Sequence, residues 1–189
     1  MTDFTAALRR IVTGDDADGR SLVILDGPPS ATSGSLDLGG LFDICHDSTS
    51  APIDPHQHTD LGPARAVLAP EAGSVKVRWF IIQPTPDGLD PGRLAAIVRE
   101  RFAGFDAEDH LRDQTRHPAM HATATLDIIC LLEGDVSLIL DNEETRIKPG
   151  QIVIQRGTSH AWQAHGGPAL LLAVLIDLSL IHISEPTRL

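Results

Sequence analysis

Residues 121–160 read HATATLDIICLLEGDVSLILDNEETRIKPGQIVIQRGTSH, and this stretch carries the clearest fold signal in the chain. In its first part, alternate residues share one parity, which in a β-strand is one face of the sheet. Those residues are His121, Thr123, Thr125, Asp127, Ile129 and Leu131. The predicted strand therefore has a polar beginning and an apolar end on one face.

Turn residues divide the remainder of this stretch into further strands. The turn pairs are EG at 133–134, DN at 141–142 and PG at 149–150. They predict strands over 136–140 and 151–155, and His160 follows in the corner formed by 156–159. Two histidines thus stand at the two ends of a folded-back β segment.

Outside this stretch the pattern also predicts short strands. A hairpin is expected from 9–13 and 21–26, with strands at 41–46, 66–68, 74–83 and 169–176, and 27–40 reads as a loop. One helix is predicted over 91–104, because Asp90 can cap it, Pro91 suits its first turn and Gly104 can end it. Many short strands with regular turns favour an all-β barrel.

Composition narrows the possible functions. The chain has 189 residues, of which 42% are hydrophobic, and this suits a single domain with its own core. A net charge of −11 argues against binding to nucleic acid or to an anionic membrane. Two distant cysteines favour a reducing, cytoplasmic location, and the chain shows neither a signal peptide nor a window apolar enough to span a membrane.

The C-terminal residues 178–189, LSLIHISEPTRL, resemble a translated sequencing adaptor of the kind found in metagenomic genes. We therefore expect a non-native tail there and natural sequence that ends near Asp177. His182 is left out of the candidate ligands for this reason.

The residues of the 121–160 stretch resemble the two motifs of the cupin superfamily. The first motif, G-x5-H-x-H-x3-4-E-x6-G, is matched in spacing from its first histidine onward. His121 takes the first histidine position, Thr123 the second, Asp127 the glutamate position and Gly134 the closing glycine. The hydroxyl of Thr123 and the shorter carboxylate of Asp127 are departures from the pattern.

The second motif, G-x5-P-x-G-x2-H-x3-N, is matched by Gly150, Gly157 and His160. Here Gln155 replaces the proline and Ala164 the asparagine. The resemblance covers roughly 118–177. It implies a double-stranded β-helix, the cupin jelly-roll barrel, with extra N-terminal strands and one α-helix. A single domain over 1–177 is expected, with a core barrel at about 66–177 and an N-terminal β extension over 1–65. The resemblance also implies a homodimer.

A metal site is the first interpretation of the polar residues. His121, Asp127 and His160 supply two imidazoles and one carboxylate, a set that suits Fe(II) and also accepts Mn, Ni, Cu or Zn. The alternative is a hydrogen-bonded polar cluster without any metal or other cofactor. In that case Asp127 and His160 could act as an acid–base pair on a small substrate.

Further residues are expected around the pocket. Thr123, Thr125, Ile129 and Leu131 share the inward parity, and Trp162 shares parity with His160, although a lone tryptophan also suits ordinary core. Arg156 could pair with a substrate carboxylate or form a surface ion pair. His117 could supply a fourth ligand or lie in an exposed loop.

The expected function is that of a metal-dependent cupin enzyme. The resemblance implies a small organic substrate, possibly an aromatic or carboxylic acid, and the facial ligand set favours dioxygenase-like chemistry. One alternative is a non-oxidative lyase, isomerase or hydrolase that uses the same pocket. Another is a small-molecule-binding cupin that has no metal and no activity.

Overall fold

A computed structural model describes residues 4–178, and over this range the chain forms eleven β-strands and one α-helix. The strands are β1 Arg10–Asp15, β2 Ser21–Gly27, β3 Ala31–Ser35, β4 Gly39–Ser48, β5 Ser74–Ile82, β6 Thr125–Glu133, β7 Val136–Leu140, β8 Glu144–Ile147, β9 Ile152–Arg156, β10 His160–Ala164 and β11 Ala169–Asp177. The helix α1 is Pro91–Gly104, and 3-10 turns lie at Thr5–Ala7 and Glu108–His110. The predicted non-native tail, apart from Leu178, lies outside the described residues.

The largest sheet has six strands in the order β3-β4-β5-β11-β6-β9, and a second sheet has the order β10-β7-β8. All pairings are antiparallel, and β1 pairs with β2 as a separate hairpin. Because β11 pairs with both β5 and β6, it joins the N-terminal half of the large sheet to the C-terminal half.

The main core lies between the two sheets. Inward residues of β6 and β11 pack against residues of the small sheet, and the fully buried members include Leu131, Val136 and Leu171. Each such side chain removes apolar surface from water, which stabilises the fold by about 1.5–3 kcal/mol. The prediction of an all-β jelly roll with one helix is confirmed.

The helix forms as predicted and closes one side of the large sheet. The side chain of Asp90 accepts a hydrogen bond from the backbone N–H of Arg93, at 2.9 Å. Val98 and Phe102 are buried and pack against a cluster that includes Leu41 on β4. No helix within residues 4–178 is long and apolar enough to cross a membrane.

The N-terminal region contributes to the main sheet more than the sequence indicated. Strand β3 lies inside the predicted loop over 27–40, and β3 and β4 extend the large sheet beyond β5. The predicted border near residue 66 therefore cuts through the barrel instead of preceding it. The strand predicted at 66–68 does not form, whereas the hairpin of β1 and β2 does.

The motif stretch folds nearly as predicted, with one change at its start. Strand β6 begins at Thr125, and His121 lies before it, held by isolated bridges to Leu111 and His160. The sequence predicted one continuous strand that contains both His121 and Asp127, but β6 begins only after residue 124. Gly134 has φ 100°, and a Cβ there would lie 2.8 Å from Cα of Ala169, so a glycine is required at this turn.

Three charged side chains on the neighbouring strands β4 and β5 are buried. Asp43 and Arg78 are direct cross-strand partners, and their Oδ1 and Nε atoms are 2.9 Å apart. Lys76 Nζ lies 3.8 Å from Asp43 Oδ2 and donates to the carbonyls of Val67 and Ala69, at 3.0 Å each. We call Asp43, Lys76 and Arg78 the buried ion cluster.

Burial and the adjacent Arg78 lower the pKa of Lys76 to about 8, although Asp43 opposes the shift. Between pH 8 and the ordinary lysine pKa of 10.5, the unfolded chain therefore binds more protons than the folded chain. We expect the free energy of unfolding to rise with pH across this window, by roughly 3 kcal/mol in all.

Urea unfolding at a series of pH values measures this rise, and Lys76→Met should remove it. The chain has no tyrosine and its other lysine is Lys148. Burial raises the pKa of the Cys45 thiol, which lowers stability as pH rises in the same window, and Lys76→Met retains that opposite contribution. The Lys148→Met variant is the matched control and should keep the wild-type pH dependence. An equal pH dependence in wild type and Lys76→Met would contradict the assignment.

Candidate functional site

A cavity of about 930 Å³ lies between the inner face of the large sheet, strand β10 and helix α1. Its walls are largely apolar and include Phe80, Ile129, Phe102, Trp162 and Leu175. His121, Asp127 and His160 also line it. This combination of apolar walls and a few polar groups is typical of a small-molecule site.

His121 and His160 are fixed to each other through their backbones. The N–H of each donates to the carbonyl of the other, both at 2.9 Å. Their ring centroids are 4.3 Å apart, with Phe102 against the His121 ring and Trp162 against the His160 ring. We call His121 and His160 the histidine pair.

Both rings are held in one orientation by backbone carbonyls. His121 Nδ1 lies 2.9 Å from the carbonyl oxygen of Ala119, and His160 Nδ1 lies 2.9 Å from that of Thr158. Since a carbonyl only accepts, each Nδ1 carries the proton and each Nε2 keeps its lone pair. Burial and the neighbouring His160 lower the pKa of His121 to about 3, and burial lowers the pKa of His160. Both imidazoles are therefore neutral at pH 7.

Asp127 lines the same cavity but its electrostatic neighbours are different. Its side chain is buried, and its Oδ1 has no hydrogen-bond partner among the described residues. Burial raises the pKa of Asp127, and the Thr125 hydroxyl and Arg78 oppose the increase. The carboxyl group is thus associated with Arg78 instead of with the histidine pair.

The predicted triad of His121, Asp127 and His160 does not assemble as a ligand set. Within residues 4–178, no three His, Cys, Asp or Glu side chains are grouped closely enough to hold a metal ion. The histidine pair alone has suitable donor chemistry, because neutral imidazoles with a tethered Nδ1–H are common metal ligands. Strand β6 begins only at Thr125, so His121 and Asp127 do not lie on one continuous strand, and this explains why Asp127 does not join the histidine pair.

The other predicted pocket residues divide into two groups. Ile129, Trp162 and His117 line the cavity, and His117 is partly buried instead of exposed. The remaining four are not in its lining: Thr123, Thr125, Leu131 and Arg156. The two threonine hydroxyls bond to each other at 2.6 Å, Leu131 belongs to the core between the sheets, and Arg156 is exposed at the end of β9.

Arg78 is the cavity residue that the sequence analysis missed. It is 2% exposed and lies on β5 beside Asp43 of β4. A signal was present, because Lys76, Arg78 and Phe80 share one parity in a strand that is otherwise apolar. Charged residues on the inner face of such a strand indicate either a buried ion pair or a site.

Two features of the fold now agree with the motif resemblance. The sheets form the jelly roll, and the motif glycines Gly134, Gly150 and Gly157 all adopt positive φ angles at turns. In addition, a 71-residue segment is 35% identical to the cupin-domain-containing oxidoreductase virC of Hypocrea virens, covering 35% of this chain and 37% of that protein. The motif residues, the jelly-roll fold and this relative together support a cupin assignment.

The chain also resembles a longer stretch of a fungal protein. It is 28% identical over 173 residues to phomopsin biosynthesis cluster protein C′ of Diaporthe leptostromiformis, covering 89% of this chain and 77% of that protein. Among solved structures, a cupin-2 domain containing protein from Shewanella frigidimarina has a TM-score of 0.33 at 9% identity, covering 53% of this chain and 68% of that one. No family model matches the sequence.

The buried ion cluster at the cavity should be necessary for stability. Asp43→Ala leaves the buried Arg78 without its counter-charge, and we expect a loss of about 3–5 kcal/mol in the free energy of unfolding. Asp135→Ala is the matched control, because Asp135 pairs with Arg146 on the surface and both side chains are 51% exposed. The control should change stability by less than about 1 kcal/mol. Urea titration measures both, and equal effects would contradict the proposed role of the cluster.

Proposed function

We propose that this cupin is an enzyme that acts on a small organic molecule in the barrel cavity, and that the histidine pair holds a divalent transition-metal ion there. The observation that carries this proposal is the pair of neutral imidazoles, each with its Nδ1 hydrogen-bonded to a backbone carbonyl, so that Nε2 carries the lone pair. Fe(II) is the favoured ion, with Mn, Ni, Cu or Zn as alternatives.

The lowered pKa values support metal binding over proton transfer. A general base works best when its pKa lies near the working pH, and a pKa of about 3 makes His121 a weak base at pH 7. The same value means that protons do not compete for Nε2, which favours a metal ion. When bound, such an ion supplies Lewis-acid chemistry and coordination positions for a substrate or dioxygen.

The protein's own residues then have separable tasks. Phe80 and Trp162 provide apolar walls that exclude water from the reacting molecule. Asp127, with its pKa raised by burial, can retain a proton and donate it to a substrate oxygen. The backbone bonds between His121 and His160 keep the two rings in place without a further ligand.

Oxidoreductase activity, and specifically dioxygenase-like chemistry, is our preferred reaction class. Two relatives support it, because virC of Hypocrea virens and fogC of Aspergillus ruber are both described as cupin-domain-containing oxidoreductases. Non-oxidative lyase, isomerase or hydrolase chemistry is the second candidate, and it is favoured by Asp127 in the cavity lining, whose pKa is raised by burial. A binding protein without activity is the third.

Metal analysis tests the central part of this proposal. We expect protein purified without chelator to retain about one transition-metal ion per chain, held by the two imidazoles. His160→Ala should lower metal affinity at least about tenfold, whereas Asp127→Asn should retain the ion, because its carboxylate is not near the histidine pair.

His56→Ala is the matched control for removal of an imidazole, since His56 lies in an exposed segment far from the cavity lining. Its metal content should equal that of the wild type. Retention of the ion in His160→Ala would contradict the proposed site. If Asp127→Asn lost as much metal as His160→Ala, the result would instead support the three-ligand set of His121, Asp127 and His160.

Dependence on dioxygen separates the reaction classes. The metal-loaded protein can be screened against small aromatic and carboxylic acids in air and under anaerobic conditions, with substrate loss followed by liquid chromatography. We expect turnover that requires oxygen and is abolished in His160→Ala. Equal turnover without oxygen would favour lyase, isomerase or hydrolase chemistry.

A further inference from the structure

The guanidinium of Arg78 is only partly satisfied by the protein. Its Nε faces Asp43 Oδ1 at 2.9 Å, and its Nη2 contacts Asp43 Oδ2 at 3.4 Å and the carbonyl of Val67. Its Nη1 has no hydrogen-bond partner among the described residues, and Nε, although within ion-pair distance of Asp43 Oδ1, does not make a hydrogen bond to it. An unpaired N–H of a buried cation is costly, so such a group usually has a partner.

The charges around Arg78 are also unbalanced. The buried ion cluster holds two basic side chains, Lys76 and Arg78, against the single carboxylate of Asp43. Asp127 is the other carboxyl group whose charge influences Arg78, and burial favours its neutral form. With Asp127 protonated, this part of the barrel carries an excess positive charge.

Arg78 differs from the other arginines that line the cavity. Arg93 and Arg101 belong to helix α1 and are exposed. Arg78 is 2% exposed and lies on the same strand as the cavity wall residue Phe80. An anion that reached Arg78 would therefore be largely out of water, where a charged hydrogen bond is strongest.

We propose that Arg78 binds the carboxylate of a small organic acid through its free Nη1, with the apolar or aromatic body of that acid against Phe80 and Trp162. This inference rests on the proposed function, because it names the substrate class for the same cavity. It also moves the carboxylate-binding role from the exposed Arg156 to a residue inside the barrel.

Asp127 then has a specific relation to the bound acid. In its neutral form, the carboxyl group can donate a hydrogen bond to the second carboxylate oxygen of the ligand. In its ionised form, Asp127 competes with the ligand for Arg78. Replacement by asparagine keeps a donor that cannot ionise, so the Asp127→Asn variant should bind the acid more tightly than the wild type at any pH at which Asp127 of the wild type is ionised.

Matched acid and amide probes test the proposal by titration calorimetry. Benzoate and benzamide have nearly the same shape and differ in charge, and cinnamate with cinnamamide and hexanoate with hexanamide extend the comparison. We expect the wild type to bind at least one acid roughly tenfold or more tightly than its amide, as a charged hydrogen bond of this kind would give. Absence of acid preference in all three pairs overturns the proposal.

Two arginine variants test which residue causes the preference for the acid over its amide. Arg78→Met should abolish it, whereas Arg156→Met, which removes an exposed arginine outside the cavity lining, should leave it unchanged. An unchanged preference in a folded Arg78→Met overturns the proposal. If Arg78→Met does not fold, Asp127→Asn decides, because its gain in affinity for the acid over the wild type should grow as the pH rises and Asp127 ionises. An equal affinity of the two proteins across the pH series overturns the proposal.

The His160→Ala variant separates this inference from the proposed metal. A carboxylate can also bind a metal ion, so the acid preference should persist in His160→Ala if Arg78 is responsible. Loss of the preference in His160→Ala with retention in Arg78→Met would assign it to the metal and overturn the role of Arg78. A preference that persists in wild type without any metal content would contradict only the proposed metal.

Discussion

Two basic side chains on one buried strand impose a constraint on the whole cavity. Lys76 and Arg78 lie inside the barrel, where an uncompensated charge would be strongly destabilising. Asp43 on β4 neutralises part of this positive charge, because it is the direct cross-strand partner of Arg78. Strand β4 therefore does more than extend the sheet, because its register determines whether the cations on β5 are paired. The Nη1 of Arg78 remains without a hydrogen-bond partner among the described residues, and this is the basis of the proposed anion site.

The histidine pair satisfies a different requirement. Each imidazole needs a fixed tautomer if its Nε2 is to act as a lone-pair donor, and the carbonyls of Ala119 and Thr158 provide this. The reciprocal backbone bonds between His121 and His160 join the segment before β6 to the start of β10, which belong to different sheets. A single local pairing thus closes the barrel and brings together the two groups with metal-binding chemistry.

The cavity consequently has two polar regions with separate chemistry. One contains neutral imidazoles whose Nε2 atoms can accept a hydrogen bond or bind an ion, and the other contains a cation beside a carboxyl group whose pKa is raised by burial. Apolar walls such as Phe80 and Trp162 line the same cavity. This arrangement suits a molecule with an acidic end and an apolar body, and it accounts for the departure of Asp127 from the ligand position in which the motif resemblance placed it.

The sequence by itself determined the strand pattern of the C-terminal half, the capped helix and the identity of both histidines, because parity, turn residues and caps are local properties. Only the tertiary structure decided that β6 starts after residue 124, that Asp127 neighbours Arg78, and that Arg156 lies outside the cavity. Those facts depend on pairing between distant strands. The register of β4 on β5 and of β11 on β6 sets which side chains meet, and alternation within one strand carries no information about its partner.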